Sequence, residues 1–162
     1  MATKVTNIVI AGLGGEGVLK ASDILAEVAF RAGLDVKKSE VHGMSQRGGS
    51  VTSDVRFGDR VYSPMVPAGE ADYLLVLSPD QVDINRWRLR ERGTLITPGV
   101  IPAGALHDKR SLNVALLGCL SVWLPFPEAA WEEAVRRNLA EKLHTTNLHA
   151  LAVGRAAATA PS

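Results

Sequence analysis

One segment near the N-terminus limits what this chain can fold into: a short apolar run, a cluster of glycines and an amphipathic helix follow one another directly. Residues 7–11 read Asn-Ile-Val-Ile-Ala, which is typical of a buried strand. The turn Gly-Leu-Gly-Gly-Glu-Gly at residues 12–17 comes next, and apolar residues then recur at helical spacing over residues 16–32, ending at Gly33. With a further strand over residues 35–41, the pattern predicts a βαβ crossover.

The rest of the chain continues this alternation. Residues 51–57 alternate apolar and polar side chains as a half-buried strand does, and a turn at Gly58-Asp59 predicts an antiparallel return through residues 60–62. Residues 73–77 form a continuous apolar run, which indicates a central strand. The other expected elements are a helix over residues 80–91, a strand over 94–97, helices over 112–124 and 127–142, and a last helix capped by Thr146 or Asn147.

Together these elements predict one α/β domain, a Rossmann-like three-layer sandwich with helices on both faces. The sheet is expected to be mainly parallel, with direct pairing of the strands at Asn7 and Asp35 and an antiparallel hairpin extension. The length of 162 residues, with 46% hydrophobic and 22% charged residues, fits a single globular domain. We expect residues 1–155 to form this domain and residues 156–162 to fray.

Charge and cysteine content exclude several classes of protein. The net charge of +1 gives no electrostatic reason to expect nucleic acid or an anionic membrane as partner. The longest apolar run, residues 114–124, is about half of a membrane span, so we expect a cytoplasmic protein. Cys119 is the only cysteine, which excludes an internal disulfide and an iron–sulfur cluster held by this chain's own thiolates. Its apolar surroundings indicate a buried, unreactive thiol.

The glycine turn is the first candidate binding element. A G-x-G-x-x-G motif between a strand and a helix allows close backbone approach and directs helix N–H groups at a phosphate. Glu40, at the end of the second strand, would complete a dinucleotide fingerprint, whereas the charge of Glu16 would repel a pyrophosphate. A dinucleotide, another phosphate or partner contact, and a turn needed only for packing therefore all stay open. The candidate residues are Gly12, Gly14, Gly15 and Gly17.

The second candidate is the glycine-rich loop within Ser39-Glu-Val-His-Gly-Met-Ser-Gln-Arg-Gly-Gly-Ser50. An arginine among exposed backbone N–H groups is a good receptor for phosphate or carboxylate. The alternative is a structured connection in which Arg47 pairs with a neighbouring carboxylate. His42 has no second histidine at ligand spacing, so we interpret it as a hydrogen-bonding residue. The candidate binding residues are Ser45, Gln46, Arg47, Gly48 and Gly49.

Other features of the sequence are less specific. Four arginines occur at every second position of the helix expected over residues 80–91 and just beyond it, which indicates a solvated helix or an acidic docking surface: Arg86, Arg88, Arg90 and Arg92. Three aromatic residues near a proline turn fit either a core or an interface: Trp123, Phe126 and Trp131. No Cys–His pair, Ser–His–Asp set or carboxylate pair has interpretable spacing, so we assign no catalytic residue and no metal ligand.

Five segments of the sequence together resemble the gamma-type domain of 2-oxoacid:acceptor oxidoreductases. They are residues 12–17, 39–51, 55–58, 62–64 and 69–72. The resemblance is greatest to the small beta subunit of indolepyruvate:ferredoxin oxidoreductases. Its most specific part is the core His-Gly-Met-x-Gln-Arg-Gly-Gly within the second of these segments. A weaker match returns at residues 112–118 and 124–128, while the stretch between Thr97 and Leu112 is shorter than the family pattern, which has an additional strand and helix there.

The resemblance implies a small, non-catalytic subunit of a thiamine-dependent 2-oxoacid:ferredoxin oxidoreductase acting on indolepyruvate or another arylpyruvate. In such enzymes a large partner subunit carries thiamine diphosphate, Mg and the iron–sulfur clusters. That partner converts the 2-oxoacid and coenzyme A to an acyl-CoA with CO2 release, and electrons pass to ferredoxin. A hetero-oligomer in which this chain alone binds none of these cofactors is therefore expected. The alternatives are a free-standing dinucleotide-binding protein or reductase, and a small regulatory module with the same fold.

Overall fold

A computed structural model describes residues 4–43 and 49–159, and five strands form one sheet. The strands are β1 (Val5–Leu13), β2 (Asp35–His42), β3 (Ser50–Gly58), β4 (Ala71–Val76) and β5 (Leu89–Ile96). Their order is β2-β3-β1-β4-β5. β4 pairs in parallel with β1 and β5, whereas β3 pairs antiparallel with β1 and β2. The α/β class is confirmed, but the sheet is mixed rather than mainly parallel.

The predicted direct pairing of the first two strands is wrong. β1 and β2 run in the same direction, but β3 lies between them, and its Asp54 is opposite both Val9 of β1 and Ser39 of β2. A crossover helix joins two strands of the same direction whether or not a third strand is inserted between them. The local pattern of residues 7–41 therefore could not distinguish the two arrangements.

The antiparallel extension exists, but its strands differ from those expected. β3 pairs along its length with β2, and residues 60–62 form no strand. Instead, the N–H of Val61 donates to Asp35 Oδ2 at 2.8 Å, and the side chain of Val61 is buried. A longer return strand was also disfavoured by Pro64 and Pro67, which have no N–H to donate to a neighbour.

Helices cover the two faces of the sheet unequally. One face packs against α1 (Val18–Arg31), α3 (Leu112–Ser121), α4 (Glu128–Asn138) and α5 (His144–Thr159). The other face is covered by residues 59–70 and the short helix α2 (Val82–Asn85). The main core contains Ile8, Ile10, Leu25, Leu117 and Trp131, and the smaller core contains Val9, Val66, Leu74 and Val76. None of the described helices combines the length and apolar character needed to cross a membrane.

The helix predicted over residues 80–91 is wrong. α2 has only four residues, a 3-10 turn follows at Arg86–Arg88, and β5 begins at Leu89. Arg88 is buried and donates to Asp54 at 2.6 Å, while Arg90 forms an ion pair with Asp72 at 3.0 Å. The solvated-helix interpretation of the arginines is therefore also wrong. Only Arg90 and Arg92 lie in β5, where a period of two is that of a strand, whereas Arg86 and Arg88 belong to the 3-10 turn before it.

The last two long helices pack very closely. A Cβ atom added to Gly118 of α3 would overlap the backbone oxygen of Leu151, and one added to Gly154 of α5 would overlap that of Ala115. The two glycines thus allow backbone-to-backbone contact between α3 and α5. Residues 156–159, which were expected to fray, continue α5, and Ala158 packs against the main core.

The aromatic and thiol groups near α3 have different environments. Trp131 and Phe126 belong to the core, whereas Trp123 is 54% exposed. Cys119 is buried, and its burial raises the pKa of the thiol. Both observations on Cys119 agree with the expected unreactive thiol.

Candidate functional site

The glycine turn after β1 is fixed by its own glutamate. The N–H of Glu16 donates to the carbonyl of Leu13 at 3.1 Å, and the N–H of Leu13 donates to Glu16 Oε1 at 2.5 Å. A Cβ atom on Gly12 would lie 3.0 Å from both Glu16 Oε1 and Val18 Cγ2. Gly12 therefore serves the packing of the turn, and the Glu16 carboxylate has a structural role inside it.

Gly17 and Asn113 form the second contact that holds the turn. Gly17 has φ of +85° at the start of α1, and Asn113 Nδ2 of α3 donates to its carbonyl oxygen at 3.1 Å. A Cβ atom on Gly17 would overlap this Nδ2 atom. Only glycine satisfies both the left-handed backbone and the close contact. Nothing in the glycine motif itself indicates Asn113, although this residue lies in the weaker family match at residues 112–118.

Gly14 and Gly15 occupy the outer side of the turn. Both are exposed, and nothing lies within 4 Å of the position of a Cβ atom on Gly15. They are next to the first turn of α1, where N–H groups and the positive end of the helix dipole favour an anion. The four glycines predicted as binding residues thus divide into Gly12 and Gly17, which shape the turn, and this exposed pair.

The structure brings the base of the second candidate loop against the glycine turn. The antiparallel register of β1 and β3 places Leu13 opposite Ser50, and the N–H of Gly14 donates to the carbonyl of Gly49 at 2.9 Å. On the other side of the loop, the N–H of Gly43 donates to the carbonyl of Ser50 at 2.6 Å. The remaining predicted residues of this loop lie outside the described part of the chain: Ser45, Gln46, Arg47 and Gly48.

A cavity of about 370 Å³ lies beside the two motifs. Lys20 and His42 contribute exposed side chains to its lining, and none of the described lining residues is acidic. Exposed glycine backbone, a helix N-terminus and a lysine are the donor set that binds phosphate and carboxylate groups. The site therefore fits an anionic group. The lining residues are Leu13, Gly14, Gly15, Gly17, Val18, Leu19, Lys20, His42 and Val51.

A second cavity, of about 300 Å³, opens on the other side of the turn. It lies at the carboxyl ends of β1 and β4, between Gly15, Leu77 and the 3-10 turn Lys109–Ser111. Open α/β sheets place ligands at such an edge. Lys109 is exposed, while Arg110 hydrogen-bonds Asp108 and thereby lowers the pKa of that carboxyl. The sequence pattern predicted no helix or strand between residues 97 and 112, and it gave no indication of these two cations.

Glu40 does not take the place that a dinucleotide fingerprint requires. Its carboxylate lies 3.2 Å from Lys38 Nζ on the edge strand β2. β3 separates this strand from the glycine turn, whereas in a dinucleotide site the acidic residue follows the strand adjacent to the first one. The geometry disfavours the dinucleotide alternative.

The described residues do not fit an iron–sulfur cluster or another metal site. Within residues 4–43 and 49–159, no group of three or more His, Cys, Asp or Glu side chains is placed to hold a metal ion. The single cysteine of the sequence is enclosed in α3, so it offers no thiolate at the surface.

Comparison with known proteins identifies the family. The protein-family model described as "Pyruvate ferredoxin/flavodoxin oxidoreductase" matches residues 7–157. The indolepyruvate oxidoreductase subunit IorB of Archaeoglobus fulgidus is 34% identical, over 91% of this chain and 92% of that protein. The resemblance seen in the sequence motifs is thereby confirmed.

Solved structures show the same fold. A keto/oxoacid ferredoxin oxidoreductase gamma subunit from Geobacter sulfurreducens has a TM-score of 0.80 at 25% identity, with 96% of this chain and 99% of that one covered. A 2-oxoglutarate:ferredoxin oxidoreductase from Magnetococcus marinus has a TM-score of 0.83 at 22% identity, and 99% of this chain corresponds to 32% of that longer chain. From its match along almost its whole length, this chain belongs to the pyruvate ferredoxin/flavodoxin oxidoreductase family.

Proposed function

We propose that this chain is the small, non-catalytic subunit of a 2-oxoacid:ferredoxin oxidoreductase. The observation that carries the proposal is its match over 91% of its length to a relative named as an oxidoreductase subunit. The site supports the same conclusion, because its described residues are suited to holding an anion and offer no nucleophile with an adjacent base. Oxidative decarboxylation then takes place on a larger catalytic subunit.

The substrate of the complex is indolepyruvate or another arylpyruvate, as the name of the Archaeoglobus relative supports. The large subunit carries thiamine diphosphate, Mg and the iron–sulfur clusters, and the electrons pass to ferredoxin in the cytoplasm. The placement of the iron–sulfur clusters on the large subunit agrees with the sequence of this chain, because one cysteine is too few to hold a cluster.

This chain contributes an anion-binding element to the complex. Gly12 and Gly17 shape the turn, and Gly14 and Gly15 are exposed beside Lys20. Gly49 joins the two loops, because its carbonyl accepts the N–H of Gly14. Ser45, Gln46, Arg47 and Gly48 complete the element, on the argument from the loop sequence. The anion is a phosphate of coenzyme A or of thiamine diphosphate, or a carboxylate of the partner chain. Coenzyme A, when bound to the complex, supplies the thiol that receives the acyl group, and the residues named here bind and orient the anionic group.

Reconstitution tests this function. The chain and the large subunit from the same source are purified separately, then mixed with indolepyruvate, coenzyme A and a one-electron acceptor. Acceptor reduction is expected only from the mixture, because each partner supplies groups that the other lacks. Full activity of the large subunit alone would contradict the proposal. Micromolar binding of NAD, NADP, FAD or FMN by the isolated small chain would instead favour the free-standing dinucleotide-binding protein.

Substitution of Arg47 tests the anion-binding element. A charge-assisted contact contributes about 1.5–3 kcal/mol, so Arg47→Ala is expected to weaken the affinity for coenzyme A or thiamine diphosphate by roughly 10- to 150-fold. Arg47→Lys keeps the charge without the planar fork and is expected to recover part of this loss. The measurement is the cofactor concentration that gives half-maximal turnover of the reconstituted complex.

The matched control for Arg47 is Arg137→Ala, which removes an exposed arginine of α4 that pairs with Glu133. It is expected to leave the cofactor dependence unchanged. If Arg47→Ala leaves both assembly and cofactor dependence at the wild-type level, the loop has no functional role and Arg47 belongs to a structural connection.

A further inference from the structure

Four exposed large apolar side chains lie on the face of the sheet that only residues 59–70 and the short helix α2 cover. Tyr62 and Met65, in the segment of residues 59–70, are 84% and 57% exposed, and Ile84 and Trp87, in and after α2, are 57% and 61% exposed. We call these four residues the aromatic surface. Its two rings alone expose on the order of 300 Å² of mostly apolar area. Exposed apolar groups of this size on neighbouring segments mark interaction sites.

The first segment holds its exposed side chains in a fixed position. Val61 and Val66 are buried, and their N–H groups donate to Asp35 Oδ2 at 2.8 Å and Asp54 Oδ2 at 2.9 Å. The bond from Val61 is the main reason that the pKa of Asp35 is lowered. Because both anchors are bonded to the sheet, residues 62–65 project between them in a constrained loop.

The second segment is fixed to the same carboxylate. Arg88 Nη2 donates to Asp54 Oδ2 at 2.6 Å, and the guanidinium lies 5.2 Å from the centroid of the Trp87 ring. Arg88 is buried although the neighbouring Trp87 ring is exposed. A Cβ atom on Gly69 would lie 3.9 Å from the carbonyl oxygen of Trp87, so the two segments adjoin.

The aromatic surface is also connected to the anion-binding element. Ser50 follows Gly49 at the base of the glycine-rich loop, and its Oγ donates to Gln81 Oε1 at 2.8 Å. Gln81 directly precedes α2, which carries Ile84. A protein that covers the Ile84 end of the aromatic surface is thereby brought next to the loop that the proposed function places at the active site. Tyr62 marks the far end of the surface, because it follows Val61, which is bonded to Asp35 where β2 begins and β3 ends.

We propose that the aromatic surface is where the large catalytic subunit docks. This inference rests on the proposed function. The two rings alone supply about a third of the roughly 800 Å² that each partner contributes to a standard interface, and tyrosine and tryptophan often dominate the binding energy of such interfaces. Because the backbone that carries Tyr62 and Trp87 is already held by hydrogen bonds to the sheet, little conformational entropy is lost on docking. The connection through Ser50 and Gln81 favours the subunit that holds the reacting groups over other occupants.

The experiment measures the affinity of the small subunit for the purified large subunit by titration calorimetry. Tyr62→Ser and Trp87→Ser are each expected to raise Kd by about 30-fold or more, and the double variant by more than either alone. The matched control is Phe30→Ser. Phe30 is 69% exposed and belongs to α1, a helix that packs on the opposite face of the sheet. This control is expected to bind within about twofold of wild type. Thermal unfolding of the free variants shows that they remain folded.

Three outcomes overturn the proposal in distinguishable ways. If wild type binds and the double variant binds equally well, the docking surface is elsewhere while the proposed function stands. If wild type does not bind the large subunit, the proposed function fails, and the docking proposal fails with it. If sedimentation shows a wild-type dimer that the double variant cannot form, while binding to the large subunit is unchanged, the surface belongs to a second copy of this chain.

Discussion

Asp54→Ala is expected to lower the free energy of unfolding by about 3–5 kcal/mol, because it leaves a buried cation without its partner. Asp54 is 3% exposed and Arg88 8% exposed, and the carboxylate also accepts the N–H of Val66. The bond to Asp54 is made by Arg88 Nη2, and among the described residues Arg88 Nε has no hydrogen-bond partner. The removal therefore affects the charge and both segments that cover this face of the sheet. Urea unfolding followed by circular dichroism measures the effect.

A double variant separates charge from packing in this test. Asp54→Ala with Arg88→Met removes the orphaned cation and is expected to recover a large part of the lost stability. The control Glu133→Ala breaks the exposed pair with Arg137 on α4 and is expected to cost less than about 0.5 kcal/mol. If Asp54→Ala and Glu133→Ala lower the free energy of unfolding equally, the buried pair contributes no more to stability than the exposed pair.

Gly154→Ala is expected to destabilise the protein by about 3 kcal/mol, because α3 and α5 would have to move apart. The added methyl group meets backbone, the carbonyl of Ala115, rather than the flexible end of a side chain. The control is Gly99→Ala, where the nearest atom, Thr97 Oγ1, lies 3.6 Å from the new Cβ atom. That variant is expected to stay within about 0.5 kcal/mol of wild type. Thermal unfolding compares the two, and a tolerated Gly154→Ala would refute the close helix contact.

Local patterns predicted the parts of the fold that depend on neighbours in the chain. The strand, glycine turn and α1 were confirmed, since a β-branched run, glycines and a 3.6-residue period all lie within about thirty residues. The insertion of β3 between β1 and β2 was not predictable in this way, because hydrogen bonds between distant strands leave no periodic trace in either segment. The four-residue helix α2 is too short to show a helical period.

In the candidate site, too, local patterns predicted only the features that depend on residues close together in the chain. The glycine motifs indicated where an anion is expected to bind, but contacts made across the fold decided which glycines are structural. Asn113 lies 96 residues from Gly17, and no local rule connects them. Asp54 occupies a polar position of an alternating strand, so nothing in its own segment indicated that Arg88 would be its partner.

The strand order has a consequence for how the chain assembles. β1 is made first yet occupies the centre of the sheet, and its neighbours β3 and β4 begin only at Ser50 and Ala71. Until those residues leave the ribosome, both edges of β1 have unpaired N–H and carbonyl groups, and the apolar side chains of Ile8 and Ile10 have no finished core. The adjacent strands β2 and β3 pair over a short connection, so they can form a hairpin early and add to β1 as a unit. Nascent chains that stop before β4 therefore present an apolar strand, fully buried in the finished fold, at an open edge of the sheet.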